Sequence, residues 1–440
     1  MEITNNKITK EQAKVILLSS MGGLLEYFDF VIYGFFAHII GEVFFKSSSL
    51  IINEIEGYSI FAIGYLARPI GGFIFSHFGD TQSRKKTFLV TIFLMAFSTL
   101  TIGFIPTYAQ IGYFAPVVLI LLRLIQGFAV GGELPGSITF VFEHVSKNRQ
   151  GLACGILYSG VIGGIVLGSI TSTVIFKNFS HDTIIQWGWR IPFIVGGTLG
   201  IIGNILRKNL AESPIFKKIY LTKETHKYPV IELFKKHKIT LASGVFITAF
   251  SAVVTSLCFY IPGYLHINYG YNESKILFIN TISIVFQCFS IVITGIICDK
   301  IPRKSMALIT CYLFFFLTPV IFYIIGRANT NVLWATMIFL GVISGCIVGC
   351  LGSLLAEIFP APIRFSGIAG SLNIAVALFA GPAPLIFDLL MKHFHNNLLP
   401  AFFVSFFALI AFFFVRNLPD ISQKKSQNIS SQPDVCSSSP

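Results

Sequence analysis

Two carboxylates, Glu26 and Asp29, stand three residues apart in the apolar stretch Gly22-Gly23-Leu24-Leu25-Glu26-Tyr27-Phe28-Asp29-Phe30. On a helix that spacing puts both on one face. A carboxylate deep in an apolar environment costs on the order of several kcal/mol unless it is paired or protonated, so such a pair is either locked to cations or able to take up and release a proton. Arg68, in Ala67-Arg68-Pro69-Ile70-Gly71-Gly72, and Arg123, in Leu122-Arg123-Leu124-Ile125-Gln126-Gly127, are the obvious counter-charges. Glu133 follows Arg123 in the same apolar run, which gives three acids against two arginines. The acid left over is what a proton carrier needs, although Glu133 could equally be a static anchor for Arg68 or for bases in a loop.

A second constellation is polar. Asp80, Arg84 and Lys85 lie in Gly79-Asp80-Thr81-Gln82-Ser83-Arg84-Lys85-Lys86, between two apolar runs. About half the chain later Asp299, Arg303 and Lys304 repeat the same spacing. The chain therefore reads as two related halves.

The elements that must hold these residues follow from composition. The chain has 440 residues, 54% hydrophobic and 12% charged, with a mean hydropathy of +0.76. That is more apolar surface than one water-soluble core can hide, and it predicts an all-α polytopic membrane protein. A crossing helix needs roughly 20 mostly apolar residues. Twelve such runs can be placed, at 15–40, 57–78, 87–106, 113–135, 153–176, 188–206, 239–265, 275–298, 305–325, 331–355, 366–391 and 398–415. The expected organisation is a cytoplasmic tail (1–14), a six-helix bundle (15–206), a cytoplasmic linker (207–238), a second six-helix bundle (239–415) and a disordered cytoplasmic tail (416–440).

The net charge of +12 does not point to nucleic acid. Most of the 32 lysines and arginines, Arg207 counted among them, fall in loops on one side of this topology. The positive-inside rule then places both termini in the cytoplasm of a plasma or bacterial inner membrane. The basic linker, which contains Leu210-Ala211-Glu212-Ser213-Pro214-Ile215-Phe216, reads as an amphipathic segment on anionic lipid headgroups. The eight cysteines include no Cys-x-x-Cys pair and read as packing, so no metal or other cofactor is expected. A membrane enzyme would need a nucleophile, metal or cofactor constellation, and the sequence shows none. Gln287, Asn280 and Asn373 are the uncharged polar groups of the second half suited to facing a central cavity or to bonding between helices.

The loop pair resembles the signature of the major facilitator superfamily, with Ser76 and Ser83 in place of two glycines in the first copy and Pro302 in place of one in the second. Further stretches resemble the metabolite:proton symporter group, typified by proline/betaine transporters: Glu26-Tyr27-Phe28-Asp29-Phe30, Ala67-Arg68-Pro69-Ile70-Gly71-Gly72, Gln126 to Glu133, Trp187 to Phe193, Glu212 to Phe216 and Phe359 to Arg364. The resemblance implies two pseudo-symmetric six-helix bundles around a central site, alternating access, and a proton and a small polar metabolite as partners, with no obligate protein partner. It implies that Asp80, Arg84, Lys85, Asp299, Arg303 and Lys304 act as latches, Asp80 against the start of helix 11 and Asp299 against the start of helix 5. By similarity to sugar/proton symporters, Asp29 binds the driving proton while Arg123 changes partner between Asp29 and the substrate or Glu133. Glu26 and Glu133 are the other coupling candidates. Arg68 and Arg123 would hold a substrate carboxylate. Tyr27, Tyr33 and Tyr158 could cage a quaternary ammonium. A proline or glycine betaine type osmolyte is the favoured substrate, and a di- or tricarboxylate, or an exchanger or exporter of the same fold, the alternative.

Overall fold

The computed structural model describes residues 8–45, 50–327 and 329–419. Among them are twelve long helices and no strand. These are α1 (Lys10–Phe44), α2 (Leu50–Thr81), α3 (Arg84–Phe104), α4 (Phe114–His144), α5 (Gln150–Asn178) and α6 (Arg190–Arg207). The second six are α7 (Lys238–Tyr269), α8 (Glu273–Cys298), α9 (Arg303–Ile325), α10 (Thr330–Ile358), α11 in two segments (Arg364–Ala375 and Ala383–Phe394) and α12 (Leu399–Arg416). A π-helical turn at Val376–Ala380 joins the segments of α11. Among the described residues eleven stretches are long and apolar enough to cross a membrane, and α2, with 32 residues, is the twelfth long helix.

Several helices overrun the apolar runs that announce them. An apolar run marks the part that crosses hydrocarbon, whereas the helix continues until its end groups are capped. Thr9 closes a capping box before α1, and Ser83 accepts from the Lys86 N–H before α3. The reading of 416–440 as a disordered tail falls mostly on 420–440, outside the described residues, as do residues 1–7.

Packing repeats between the halves. In the first bundle α1 packs along α5, α2 along α4 and α3 along α6. In the second, α7 packs along α11, α8 along α10 and α9 along α12. Each pair maps onto its counterpart six helices later. The bundles meet where α2 lies on α11 and α5 on α8. The closest approach of α2 to α4 depends on glycine: a Cβ at Gly127 would sit 1.9 Å from the Gly64 carbonyl oxygen, and one at Gly131 2.1 Å from that of Arg68. Any side chain there would push the helices apart and carry Arg68 away from α1.

Two short helices, Pro214–Leu221 and Pro229–Lys236, lie between the bundles in sequence. They bury Phe216, Ile219 and Leu233, and the Phe234 ring stands 5.7 Å from that of Phe73 on α2. The linker therefore turns part of its apolar face onto the protein.

Candidate functional site

A cavity of about 1290 Å³ opens between the bundles. Its inner part is lined by Glu26 and Asp29 from α1, Arg68 from α2, Arg123 and Gln126 from α4, and Tyr158 from α5. The second bundle contributes Thr248 from α7 and Asn373 from α11, and toward the mouth Asn268, Asp388, His395 and Asn397.

The charged residues form two units. Arg68 donates to Glu26 Oε1 at 3.1 Å and stands 5.5 Å from the centroid of the Tyr65 ring. Asp29 accepts from the Thr99 hydroxyl and, at 3.1 Å, from Gln126 Nε2. The Gln126 carbonyl oxygen in turn accepts from Arg123 at 2.5 Å. Gln126 thus links Asp29 to Arg123, and it stands on the same face of α4 as Arg123, three residues on. The Arg123 guanidinium lies 3.7 Å from the centroid of the Tyr33 ring.

Glu133 belongs to neither unit. It accepts from Arg207 at 2.9 Å and from the Thr91 hydroxyl at 2.6 Å. Arg207 also donates to the Leu18 carbonyl and lies 4.1 Å from the centroid of the Phe88 ring. The count of three acids against two arginines is therefore corrected to three against three. Arg207 ends an apolar run, where it reads as a loop base, but it turns back into the bundle and is 1% exposed.

Of the residues expected to face substrate, Arg68, Arg123, Tyr158 and Asn373 line the cavity. Tyr33 and Gln287 do not: Tyr33 lies buried beneath Arg123, and Gln287 is buried where α8 packs on α10. The Asn373 amide donates to the Gly131 carbonyl at 2.8 Å, bridging the two bundles.

At the end that carries the start of α1, both loop signatures are engaged. Asp80 accepts from the Phe365 and Ser366 N–H groups at 3.3 and 2.8 Å, at the start of α11. Asp299 accepts from the Gly151 and Leu152 N–H groups at 2.6 and 2.9 Å, at the start of α5. Helix amino termini carry unpaired N–H groups and partial positive charge, which is why a carboxylate seats there. Burial pushes the Asp299 carboxyl above the usual aspartate range, against the pull of the Leu152 and Gly151 N–H groups and Arg303.

Of the neighbouring bases, Arg84 holds its aspartate directly, and the others bond groups nearby. Arg84 pairs with Asp80 at 3.4 Å and with Glu143, and donates to the Ala361 carbonyl at 2.6 Å. Arg303 pairs with Glu357 at 3.0 Å and donates to Gln150 at 3.2 Å. Lys304 Nζ donates to the Leu418 carbonyl at 2.6 Å. Lys85 contributes its main chain, whose N–H donates to Glu212 at 3.1 Å. Glu143, which also accepts from Arg364 at 2.6 Å and from the Ser213 hydroxyl, is a hub that the sequence reading missed. Its one available signal was an acid at the end of an apolar run, opposite Arg84 and Arg364.

The chain is a helical membrane protein with two like bundles, a cavity between them, and at one end of it an aspartate of each bundle bonded to a helix start of the other. The chain belongs to the Major Facilitator Superfamily, whose family model matches residues 20–384. It is 32% identical over 426 residues to the proline/betaine transporter of Salmonella typhimurium, covering 94% of this chain and 84% of that one. It is 32% identical over 407 residues to the glycine betaine/proline/ectoine/pipecolic acid transporter OusA of Dickeya dadantii, covering 90% and 81%. Its fold matches that of the proton:xylose symporter XylE bound to 6-bromo-6-deoxy-D-glucose with a TM-score of 0.76 at 17% identity, over 94% of this chain and 97% of that one. The relatives and the structural neighbour are transporters, not enzymes.

Proposed function

We propose that this chain is a proton-coupled symporter that brings a small zwitterionic osmolyte of the proline or glycine betaine type into a bacterial cell by alternating access. The observation that carries the reading is the pairing on one cavity wall of the Glu26–Arg68 ion pair with the Asp29–Gln126–Arg123 chain. Two arginines and two acids on the first bundle's wall of the cavity suit a ligand that bears both charges, and the names of the relatives support that class.

Both termini lie in the cytoplasm of the inner membrane in this proposal, and the latched end faces inward. The cavity mouth at Asn268, His395 and Asn397 then opens outward. Coupling runs through α1. With Asp29 ionised, Gln126 is held between it and Arg123; a proton on Asp29 weakens the acceptor that holds the Gln126 amide, and Arg123 is released to a substrate carboxylate. With its charges matched, the site can pass through the membrane interior as the bundles rock and the latches at Asp80 and Asp299 part.

The test is uptake into proteoliposomes of labelled proline, glycine betaine, oxoglutarate, citrate and shikimate, with and without an inward proton gradient. Gradient-driven accumulation of proline or glycine betaine is expected. Accumulation of a di- or tricarboxylate instead would replace the substrate class, and equilibration that ignores the gradient would remove the coupling.

A further inference from the structure

The Glu26–Arg68 pair is joined by one hydrogen bond, and it leaves one atom unused on each partner. Glu26 Oε2 and Arg68 Nε are buried and have no hydrogen-bond partner among the described residues. Glu26 is 3% exposed, and both residues line the cavity. The pair therefore keeps in reserve one acceptor and one donor, on two side chains already in contact. Tyr158 Oη, from α5, and Thr248 Oγ1, from α7, are two further buried atoms of cavity-lining residues without a partner among the described residues. Tyr158 is 5% and Thr248 2% exposed. Buried polar atoms are nearly always bonded, so each one left unbonded calls for a partner. Four of them around one cavity, contributed by both bundles, describe the complement of a ligand.

The complement is specific. A reserved donor on Arg68 suits a carboxylate oxygen. A reserved acceptor on Glu26 suits an N–H. The two aromatic faces beside these arginines are already taken, that of Tyr33 by Arg123 and that of Tyr65 by Arg68. We infer that Glu26 and Arg68, completed by Tyr158 and Thr248, form the headgroup site for a zwitterion whose cationic nitrogen carries at least one N–H. The preferred class is an amino or imino acid of the proline type, and the site discriminates against a fully alkylated nitrogen. This inference rests on the proposed reading of the cavity as a zwitterion site and narrows it.

A site built around a ligand N–H rejects the analogue that lacks it, because its own buried groups are then left unpaired. For a bond to a charged group the expected loss is about tenfold or more. The experiment compares proline, N-methylproline, N-ethylproline and N,N-dimethylproline as substrates of the full chain in proteoliposomes under a proton gradient, with displacement of bound proline as a second readout. N-ethylproline and N,N-dimethylproline are isomers of equal bulk, and only the first keeps an N–H. The expected result is a modest decline along the N–H-bearing series and a drop of about tenfold or more for the dimethyl isomer. In T248V and Y158F, and in E26Q by displacement alone, the gap between the two isomers is expected to shrink. Equal handling of the isomers overturns the inference and leaves symport of zwitterions standing. A gap that survives unchanged in all three variants overturns the assignment to this site. Accumulation of citrate or oxoglutarate with none of the proline series overturns both the inference and the function on which it rests.

Discussion

Asp80 holds Ser366 twice, accepting at 2.8 Å from its backbone N–H and at 2.8 Å from its hydroxyl. It thereby caps α11 from another bundle, as Asp299 caps α5 in return. A cap of this kind within one chain segment is worth about 1 kcal/mol; here the same bonds exist only while the bundles touch at this end. Asp80→Ala is therefore expected to shift the ratio of latched to unlatched protein by about fivefold toward unlatched. Ser366→Ala, which removes one of the bonds, should shift it less. The measurement is the alkylation rate of a single cysteine introduced on the latched end. Unchanged alkylation in Asp80→Ala would remove the latch from the mechanism.

The second latch carries a pH dependence of definite sign. Burial raises the Asp299 carboxyl above the ordinary aspartate value, and parting from the start of α5 is expected to return it to solvent. The latched form therefore binds a proton more tightly than the unlatched form, so it gains stability as pH falls from the raised value toward the ordinary one. Above the raised value the balance is flat with respect to this group. Acidifying the latched face should slow cysteine alkylation there, and Asp299→Asn should abolish its share of the response. Faster alkylation on acidification that disappears in Asp299→Asn would reverse the sign.

The reach of the sequence is visible in these same residues. Apolar run length follows from the thickness of hydrocarbon, so the spans could be read one by one, and the repeat of Asp80 and Arg84 in Asp299 and Arg303 marked the two halves. Partnership across helices is a different quantity. Arg207 sits at the boundary between an apolar run and a basic linker, and one-dimensional context assigns it to the linker, whereas α6 carries it back to Glu133. Gln126 is uncharged, so nothing marks it as the link between Asp29 and Arg123 until α1, α3 and α4 are brought together. Glu212 and Ser213 were legible as a motif, but not as a plug on the start of α3 and on Glu143, because a linker's course is not encoded in periodicity.

Glu133 and Arg207 are both fully withdrawn from solvent. Removing one partner leaves a buried charge without its mate, at a cost of about 3–5 kcal/mol. Arg207→Met is expected to lower the thermal stability of the purified protein sharply, and Glu133→Gln in the same chain to recover much of the loss. If Glu133 is an anchor, Glu133→Gln alone alters stability while the gradient dependence of uptake per folded molecule stays as in the parent. A loss of gradient dependence with stability intact would return Glu133 to the coupling path.

Coupling itself is expected to reside in Asp29, which accepts from two side chains at once, Thr99 and Gln126, with Arg123 behind Gln126. Asp29→Asn removes the charge while keeping the shape. It is expected to abolish accumulation against a gradient, because the step that distinguishes proton-loaded from empty carrier is gone, and to keep exchange of labelled for unlabelled substrate, which needs no net proton movement. Gln126→Leu tests the route rather than the acid: it leaves Asp29 with the Thr99 hydroxyl and cuts the link to Arg123. Uptake should then survive with a weaker dependence on the gradient. Thr99→Val, which spares the link, should retain coupling. Full gradient-driven accumulation in Asp29→Asn would move the proton to Glu26, whose pairing with Arg68 makes it the other acid on this cavity wall.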